Sequence, residues 1–362
     1  MKSRPEILKT ADRVVLLDAL RLLAALSVVA FHYLYRGAAA DGYLAVTYPE
    51  AAPMARFLYL GVNLFFLISG FVITWSAEGR SWTDFAIARF ARLYPGHVAA
   101  MSVTFTVCLL AAHPAFPVNS TGYLANLTMA APLFGQPFMD GVYWTILLEI
   151  IFYFWVALLI LSGLFERGLV AIVAVWLALS MANEFVIESG ALRLVFLTEY
   201  AGYFAGGMLA RHMMVHGRQS ETVLMAIAAF LVSSNTMHVS RDWMLGHYGE
   251  AAGNGELLVA NLLVHGLFFG ALWLDRFARP SKWLLLAGAL TYPLYLLHQN
   301  IGYILIGALA PALGRHVALA MALGAAIALS WLIVRFVEQP LAAPLKAALR
   351  RIISPFEKSA AA

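Results

Sequence analysis

Apolar runs of about 17–25 residues recur along the whole chain, and each is long enough to cross a hydrocarbon core about 30 Å thick as a helix. Only 12% of the 362 residues are charged, whereas a soluble domain carries about 25%. Such a composition cannot cover a soluble globule of this size. Transmembrane β-barrels consist of alternating segments of about ten residues, which this sequence does not show. The sequence therefore predicts an all-α, polytopic bundle of membrane helices.

Ten runs are each predicted to form one span, and they cover residues 14–35, 57–76, 96–112, 142–162, 168–186, 192–210, 222–239, 256–274, 283–306 and 316–337. The stretch from Ala112 to Asp140 contains several prolines and little charge, which is typical of a re-entrant or interfacial loop. No connection is long enough for a second soluble domain. Residues 1–340 are thus predicted to form one integral-membrane domain, followed by a cytoplasmic tail at 341–362.

Lys and Arg residues indicate the orientation because they concentrate in cytoplasmic loops. With a cytoplasmic N-terminus, seventeen of them lie in inner segments, including Lys2, Arg4, Lys9 and Arg13. Five lie in outer segments, namely Arg36, Arg56, Arg193, Arg241 and Arg315. Both termini are therefore predicted to be cytoplasmic, which agrees with an even number of spans.

Because the residues that give the net charge of +4 are scattered along the chain, no nucleic-acid partner is expected. The single cysteine, Cys108, excludes an intrachain disulfide and a cysteine-based metal cluster.

An ionisable group inside a span costs about 2.5–3.5 kcal/mol, so each one needs a partner or a function. The first span holds Asp18, Arg21 and His32. Arg21 and His32 are eleven residues apart, which places them on one helix face about 16 Å apart along the axis. Asp18 precedes Arg21 by three residues, a spacing that allows an ion pair. The alternative interpretation is a structural Asp–Arg pair with an interfacial histidine.

Two further patterns point to chemistry within the bundle. Arg89 and Arg92 share one helix face just before Pro95, and Pro95 is predicted to open the third span. Two arginines beside the N-terminus of a helix are predicted to bind phosphate. A simple cytoplasmic anchor is the alternative. Glu149 interrupts the apolar fourth span at a depth predicted to match that of His32. A carboxylate on one imidazole nitrogen prepares the other to accept a proton, although Glu149 could instead cap a helix or bind a structural arginine.

Weaker candidates include three residues on one face of the ninth span, which either line a site or pack as an aromatic stripe: Tyr292, Tyr295 and His298. Asn63, Ser69 and Gly70 are small or polar residues that favour close helix packing. Glu338 is expected to pair with Arg335 or with arginines at the inner surface.

In this order, these residues resemble the acyltransferase-3 family of bacterial membrane O-acyltransferases. The matching motifs are Arg21 with His32, Arg89 with Arg92, Phe65–Ile68–Ser69–Gly70–Phe71, Trp144–Thr145 with Glu149 and Tyr153, Tyr292–Leu294–Tyr295–Leu296–His298, and Glu338 with Pro340. They extend over nearly the whole chain. Thr291 stands where the family often has serine and Ala19 where glycine is common, and neither is a charged position.

The resemblance implies transfer of an acyl group, usually acetyl, from acyl-CoA as co-substrate to a carbohydrate hydroxyl at the bacterial inner membrane. It implies His32, oriented by Glu149, as catalytic base or acyl carrier, and Arg21, Arg89 and Arg92 as the donor-binding residues. The residues expected to support or line the site are Asp18, Asn63, Ser69, Trp144, Tyr153, Tyr292, Tyr295 and His298. No bound cofactor or metal is expected, and the oligomeric state is left open.

A transporter or flippase for a glycolipid or a small anionic solute is the competing interpretation, because intramembrane charges suit it equally well. The sequence shows no repeat of the kind that builds alternating-access folds. A purely structural scaffold would leave Arg21, His32 and Glu149 without a reason for their insertion cost.

Overall fold

The computed structural model describes residues 14–39 and 42–360. The basic residues Lys2, Arg4, Lys9 and Arg13 lie outside the described residues. Within the described part the regular structure is helical, which confirms the predicted all-α membrane bundle. The α-helices are α1 Leu16–Leu34, α2 Ala52–Ala55, α3 Gly61–Ala77, α4 Trp82–Ala111, α5 Ser120–Asn126, α6 Trp144–Leu161, α7 Leu164–Arg167, α8 Leu169–Ala182, α9 Gly190–Phe196, α10 Ala201–His216, α11 Ser220–Tyr248, α12 Asn254–Leu274, α13 Lys282–Leu313, α14 Arg315–Ile333 and α15 Gln339–Ala360.

Across the described ranges, nine helical segments are long and apolar enough to cross a membrane, and they correspond to nine of the ten predicted spans. The sixth predicted span, 192–210, is divided into α9 and α10 by a turn at Leu197, whose φ is +53°. The second piece, α10, has 16 residues. The side of the membrane on which the termini lie stays a prediction.

Large apolar side chains point outward along the bundle; Leu110 and Val186, for example, are each 80% exposed. A soluble protein rarely exposes such extensive apolar surface, whereas lipid tails solvate it. The chain is therefore a multi-pass membrane protein.

Close helix contacts bring the polar faces together at the centre of the bundle. Helix α1 contacts α3 and α13, and α13 also contacts α4 and α14. Helices α3 and α10 touch backbone to backbone, because a Cβ on Gly70 would lie 2.1 Å from the Phe204 carbonyl oxygen. A Cβ on Gly207 would lie 2.0 Å from the Leu67 carbonyl oxygen. The predicted packing role of Gly70 is thus confirmed.

Helix α4 begins earlier than predicted. Ser81 caps it by accepting a hydrogen bond from the Asp84 N–H at 3.1 Å, and the helix continues through Pro95 to Ala111. The prediction that Pro95 opens a helix is wrong, because membrane helices tolerate an internal proline. Arg89 lies about two turns beyond the N-terminus of α4, so free backbone N–H groups do not contribute to a phosphate site there.

Two segments outside the predicted spans are also partly helical. The Ala112–Asp140 connection contains α5, and His97 Nε2 lies 2.8 Å from the Asn126 carbonyl oxygen, which ties this connection to α4. Beyond a π-helical turn at Val334–Glu338, α15 contacts α4. The division into a membrane domain and a cytoplasmic tail stays a prediction.

Candidate active site

A cavity of about 260 Å³ lies between α1, α3, α4, α6 and α13, and we call it the arginine cavity because Arg21, Arg89 and Arg92 line it. Arg21 Nη1 donates to Asp18 Oδ1 at 3.3 Å, and Arg92 Nη1 donates to Glu338 Oε2 at 3.1 Å. Arg89 Nε is buried and has no hydrogen-bond partner in the described part of the chain. The fold thus brings together three cations from two helices, a geometry suited to an anion.

Glu149 also lines the arginine cavity, where its carboxylate accepts a hydrogen bond from the Tyr153 hydroxyl one turn further along α6. The predicted contact between Glu149 and His32 is therefore wrong. His32 lies two residues from the end of α1, about 3 Å, whereas Glu149 lies five residues into α6, about 8 Å. Residue counts along two different helices do not fix their relative depth.

His32 lies at the other end of α1, where another histidine takes the place predicted for Glu149. His32 Nδ1 is 2.8 Å from the Val28 carbonyl oxygen and 3.0 Å from His298 Nε2. His298 Nδ1 is 2.8 Å from the Tyr295 carbonyl oxygen, so Nδ1 carries the proton and His298 Nε2 accepts. The same partners assign the proton of His32 to Nδ1. His32 Nε2 keeps its lone pair and has no hydrogen-bond partner among the described residues.

His32 lines a second cavity of about 470 Å³, which we call the histidine cavity. Aromatic side chains form much of its wall, and polar and charged groups interrupt them: Phe31, Tyr59, Trp144, Tyr200, Trp243, Asn63, Glu199, Ser240, Arg36 and Arg193. Ligand sites of this size are commonly apolar with a few polar groups that fix orientation. An imidazole with an available lone pair is suited to take a proton from a hydroxyl bound there.

The two cavities meet at Val62 and Tyr295, which line both and which we call the partition. Thr145 Oγ1 donates a hydrogen bond to the Tyr295 hydroxyl at 3.0 Å. The Tyr295 ring packs edge-on against Phe65, with centroids 5.7 Å apart. A group that travels from the arginines to His32 must pass the partition.

Comparison with known proteins identifies the family of the chain. The acyltransferase-3 family model, an acyltransferase domain, matches residues 14–335. The chain belongs to the acyltransferase-3 family. It is 29% identical over 144 residues to the acyltransferase MdmB of Streptomyces mycarofaciens, and this match covers 38% of the chain and 36% of that relative. No solved structure matches the chain. The resemblance stated from the motifs is therefore confirmed at the level of the family.

The other predicted residues of this family member divide between the two cavities. Asn63 and Trp144 line the histidine cavity, whereas the arginine cavity is lined by Ser69, Tyr153 and Tyr292. The Arg92 guanidinium lies 5.6 Å from the centroid of the Tyr292 ring. Glu338 pairs with Arg92, one of the two arrangements expected for it.

Two acidic residues that the sequence did not single out lie in or beside the candidate site: Glu199 lines the histidine cavity, and Asp140 adjoins it. Asp140 accepts hydrogen bonds from the backbone N–H groups of Val142 at 3.2 Å and Asn300 at 3.0 Å, so it fastens the chain before α6 to α13 beside His298. Burial raises the pKa of Asp140, which lies outside the candidate spans, to about 6. No local signal indicates this contact between residues 160 positions apart.

Glu199 falls within the predicted sixth span, so the search for ionisable residues in spans could have found it.

Proposed function

We propose that this acyltransferase moves an acyl group, acetyl in the first instance, from cytoplasmic acyl-CoA to a hydroxyl of a carbohydrate across the bacterial inner membrane. The observation that supports the proposal is the pair of cavities at opposite ends of α1, which meet at the partition. Arg21 and His32 are about 16 Å apart along that helix. The pantetheine arm of CoA is long enough to cover much of this distance, while the nucleotide stays at the membrane surface.

In this proposal the arginine cavity receives the donor. Arg21, Arg89 and Arg92 bind the phosphates through charge-assisted hydrogen bonds, which are stronger than neutral ones. Glu149 lies beside the same route, where its carboxylate can accept hydrogen bonds from the amide N–H groups of pantetheine. Glu149 is therefore assigned to donor binding rather than to catalysis.

The histidine cavity carries out the transfer. His32 Nε2 takes the proton of the acceptor hydroxyl while the oxygen of that hydroxyl attacks the thioester carbonyl. The new C–O bond forms, the C–S bond breaks, and the departing thiolate takes the proton from His32 to leave as CoA. His298 Nε2 accepts from His32 Nδ1 throughout and stabilises the charge on the ring. General base catalysis of this kind contributes about 10²–10⁴-fold.

A second route has the same groups, with His32 Nε2 attacking the carbonyl itself and passing the acyl group on to the hydroxyl. Rapid quench followed by mass spectrometry separates the two routes. An acylated His32 peptide supports the intermediate, and its repeated absence from active enzyme supports direct transfer.

The overall proposal is tested with the full chain reconstituted in liposomes. Radiolabelled acetyl-CoA is added outside, and transfer of the label to a surface-polysaccharide acceptor is measured. The companion measurement is the NMR spectrum of surface polysaccharide from cells with and without the protein. Loss of ester with unchanged export supports the proposal, whereas loss of export indicates a carrier.

A further inference from the structure

Glu199 is a half-buried carboxylate in the wall of the histidine cavity, in the turn between α9 and α10. Its Oε1 accepts a hydrogen bond from Ser240 Oγ at 3.0 Å. In the described part of the chain no arginine or lysine forms an ion pair with it. Arg193, which lines the same cavity, pairs with Glu184 instead, with Nη2 and Oε2 2.6 Å apart. Ser240 and the Tyr200 hydroxyl occupy part of the hydrogen-bonding capacity of this carboxylate, and a ligand can supply the further donors that a half-buried charge needs.

Helix α11 holds this carboxylate in place from two positions one turn apart. Thr236 Oγ1 donates to the Glu199 carbonyl oxygen at 2.8 Å, and Ser240 binds the side chain. Both the backbone and the carboxylate are therefore fixed before a ligand arrives, as an organised binding site requires.

Aromatic rings stand beside Glu199. Trp144 and Tyr200 line the same cavity, with ring centroids 5.9 Å apart. Trp144 Nε1 has no hydrogen-bond partner among the residues that the structure describes, so its N–H is available to a ligand oxygen. Trp243, which also lines the cavity, is 49% exposed. Aromatic faces pack against the C–H face of a sugar ring, while a carboxylate accepts strong hydrogen bonds from hydroxyls.

Building on the function proposed above, we infer that the histidine cavity binds one neutral sugar unit of the acceptor, packed against Trp144 and Tyr200 with hydroxyls that donate to Glu199. The cavity volume of about 470 Å³ lies within the range of small-molecule sites. His32 lines the same cavity, so a further hydroxyl of the bound unit meets Nε2. Glu199 thereby selects the acceptor and determines which hydroxyl is acylated.

The test uses nitrophenyl glucoside with two matched probes, nitrophenyl glucuronide and nitrophenyl glucosaminide. Binding to the purified full chain is measured without donor, from quenching of tryptophan fluorescence, and transfer is then measured with acetyl-CoA. Glu199→Gln is expected to raise the Kd and KM of the glucoside about tenfold, a loss of about 1.4 kcal/mol. The KM of acetyl-CoA should not change. Ser240→Ala should have a smaller effect, and Glu166→Gln, an exposed carboxylate on α7, none.

Equal glucoside binding by the wild type and Glu199→Gln overturns the inference, as does an equal rise in the KM of acetyl-CoA. Binding of the glucosaminide alone also overturns it, because Glu199 would then act as the counter-ion of an amine. Binding of the glucuronide alone overturns it as well, because Arg36 or Arg193 in the cavity wall would then select a negatively charged acceptor. If Glu199→Gln does not fold, Trp144→Phe tests the same site.

Failure of the sugar site and failure of the proposed function give different results. Glu199-dependent glucoside binding without consumption of acetyl-CoA contradicts only the donor assignment. Consumption of acetyl-CoA with another acceptor, together with no glucoside binding, contradicts only the sugar site.

Discussion

The arginine cavity and the histidine cavity border the same helix, yet the polar side chains that line them have different kinds of partner. In the arginine cavity, acidic side chains accompany the cations, as Asp18 does Arg21 and Glu338 does Arg92. In the histidine cavity, one neutral imidazole orients another, and the wall combines aromatic rings with Glu199 and two arginines, Arg36 and Arg193. Phosphate can replace the acidic partners of the arginines. In the imidazole pair, by contrast, His32 Nε2 keeps its lone pair and can accept a proton. The difference assigns binding of the donor phosphates to one end of α1 and proton transfer to the other.

Removing the imidazole at the histidine end is expected to have the largest effect. His32→Ala should lower acyl transfer by about 10²–10⁴-fold, because His32 is the only imidazole among the described residues that line the histidine cavity. The variant should still insert and accumulate, and it should bind acetyl-CoA normally at the arginine end. Transfer is measured with radiolabelled acetyl-CoA, and His216→Ala, an exposed histidine on α10, is the control. Activity of His32→Ala above a few per cent of wild type would contradict the assignment.

Removing a cation at the other end should affect donor binding alone. Arg89→Ala is expected to raise the KM of acetyl-CoA about 10- to 100-fold, the loss of one hydrogen bond to a charged group. The acceptor KM should stay unchanged. Acetyl-pantetheine, which lacks the nucleotide phosphates, should be used equally by the wild type and the variant. A similar loss with both donors would show that Arg89 supports the fold rather than the phosphates.

Helical periodicity correctly placed residues on a shared helix face, whereas the predicted start of a helix at Pro95 and the predicted contact between His32 and Glu149 were wrong. Helical periodicity sufficed to place Arg21 and His32 on one face of α1, and Arg89 beside Arg92 on α4. The partner of His32 was wrong because Glu149 and His32 lie on different helices, whose relative depth depends on how each is seated in the bundle. His298 was recognised as a candidate, yet only packing of α13 against α1 brings its Nε2 to His32. The contact of Asp140 with Asn300 has no sequence signal for the same reason.

The histidine pair offers a smaller and more specific test of the comparison. His298→Ala removes one of the two acceptors at His32 Nδ1, while the Val28 carbonyl oxygen remains. We expect kcat to fall about tenfold, which corresponds to about 1.4 kcal/mol, with both KM values unchanged. His298→Gln retains a side-chain acceptor and should recover part of the loss. The backbone of α13 stays anchored in both variants because Tyr33 donates to the His298 carbonyl oxygen at 2.7 Å. A rise in either KM, or no recovery with Gln, would indicate a packing role instead.

The smallest expected effect concerns Asp140, which supports the side of α13 that carries both Tyr295 and His298. Its pKa is raised by burial from 3.8 to about 6. Between these values the folded chain keeps a proton that the unfolded chain has lost, so the free energy of unfolding falls as the pH rises and levels off above about 6. Asp140→Asn does not ionise and should lack this fall, while its oxygen still accepts one of the two backbone N–H groups.

Thermal unfolding in detergent, measured at about pH 4.5 and about pH 7.5, tests this expectation. The stability of the wild type relative to Asp140→Asn should be lower at the higher pH. Asp242→Asn is the control, because that side chain is 56% exposed. The same difference at both pH values would mean that Asp140 does not change its charge in this range. Transfer activity should change less than in any variant above, because Asp140 touches neither cavity and acts only by holding α13 against the chain before α6.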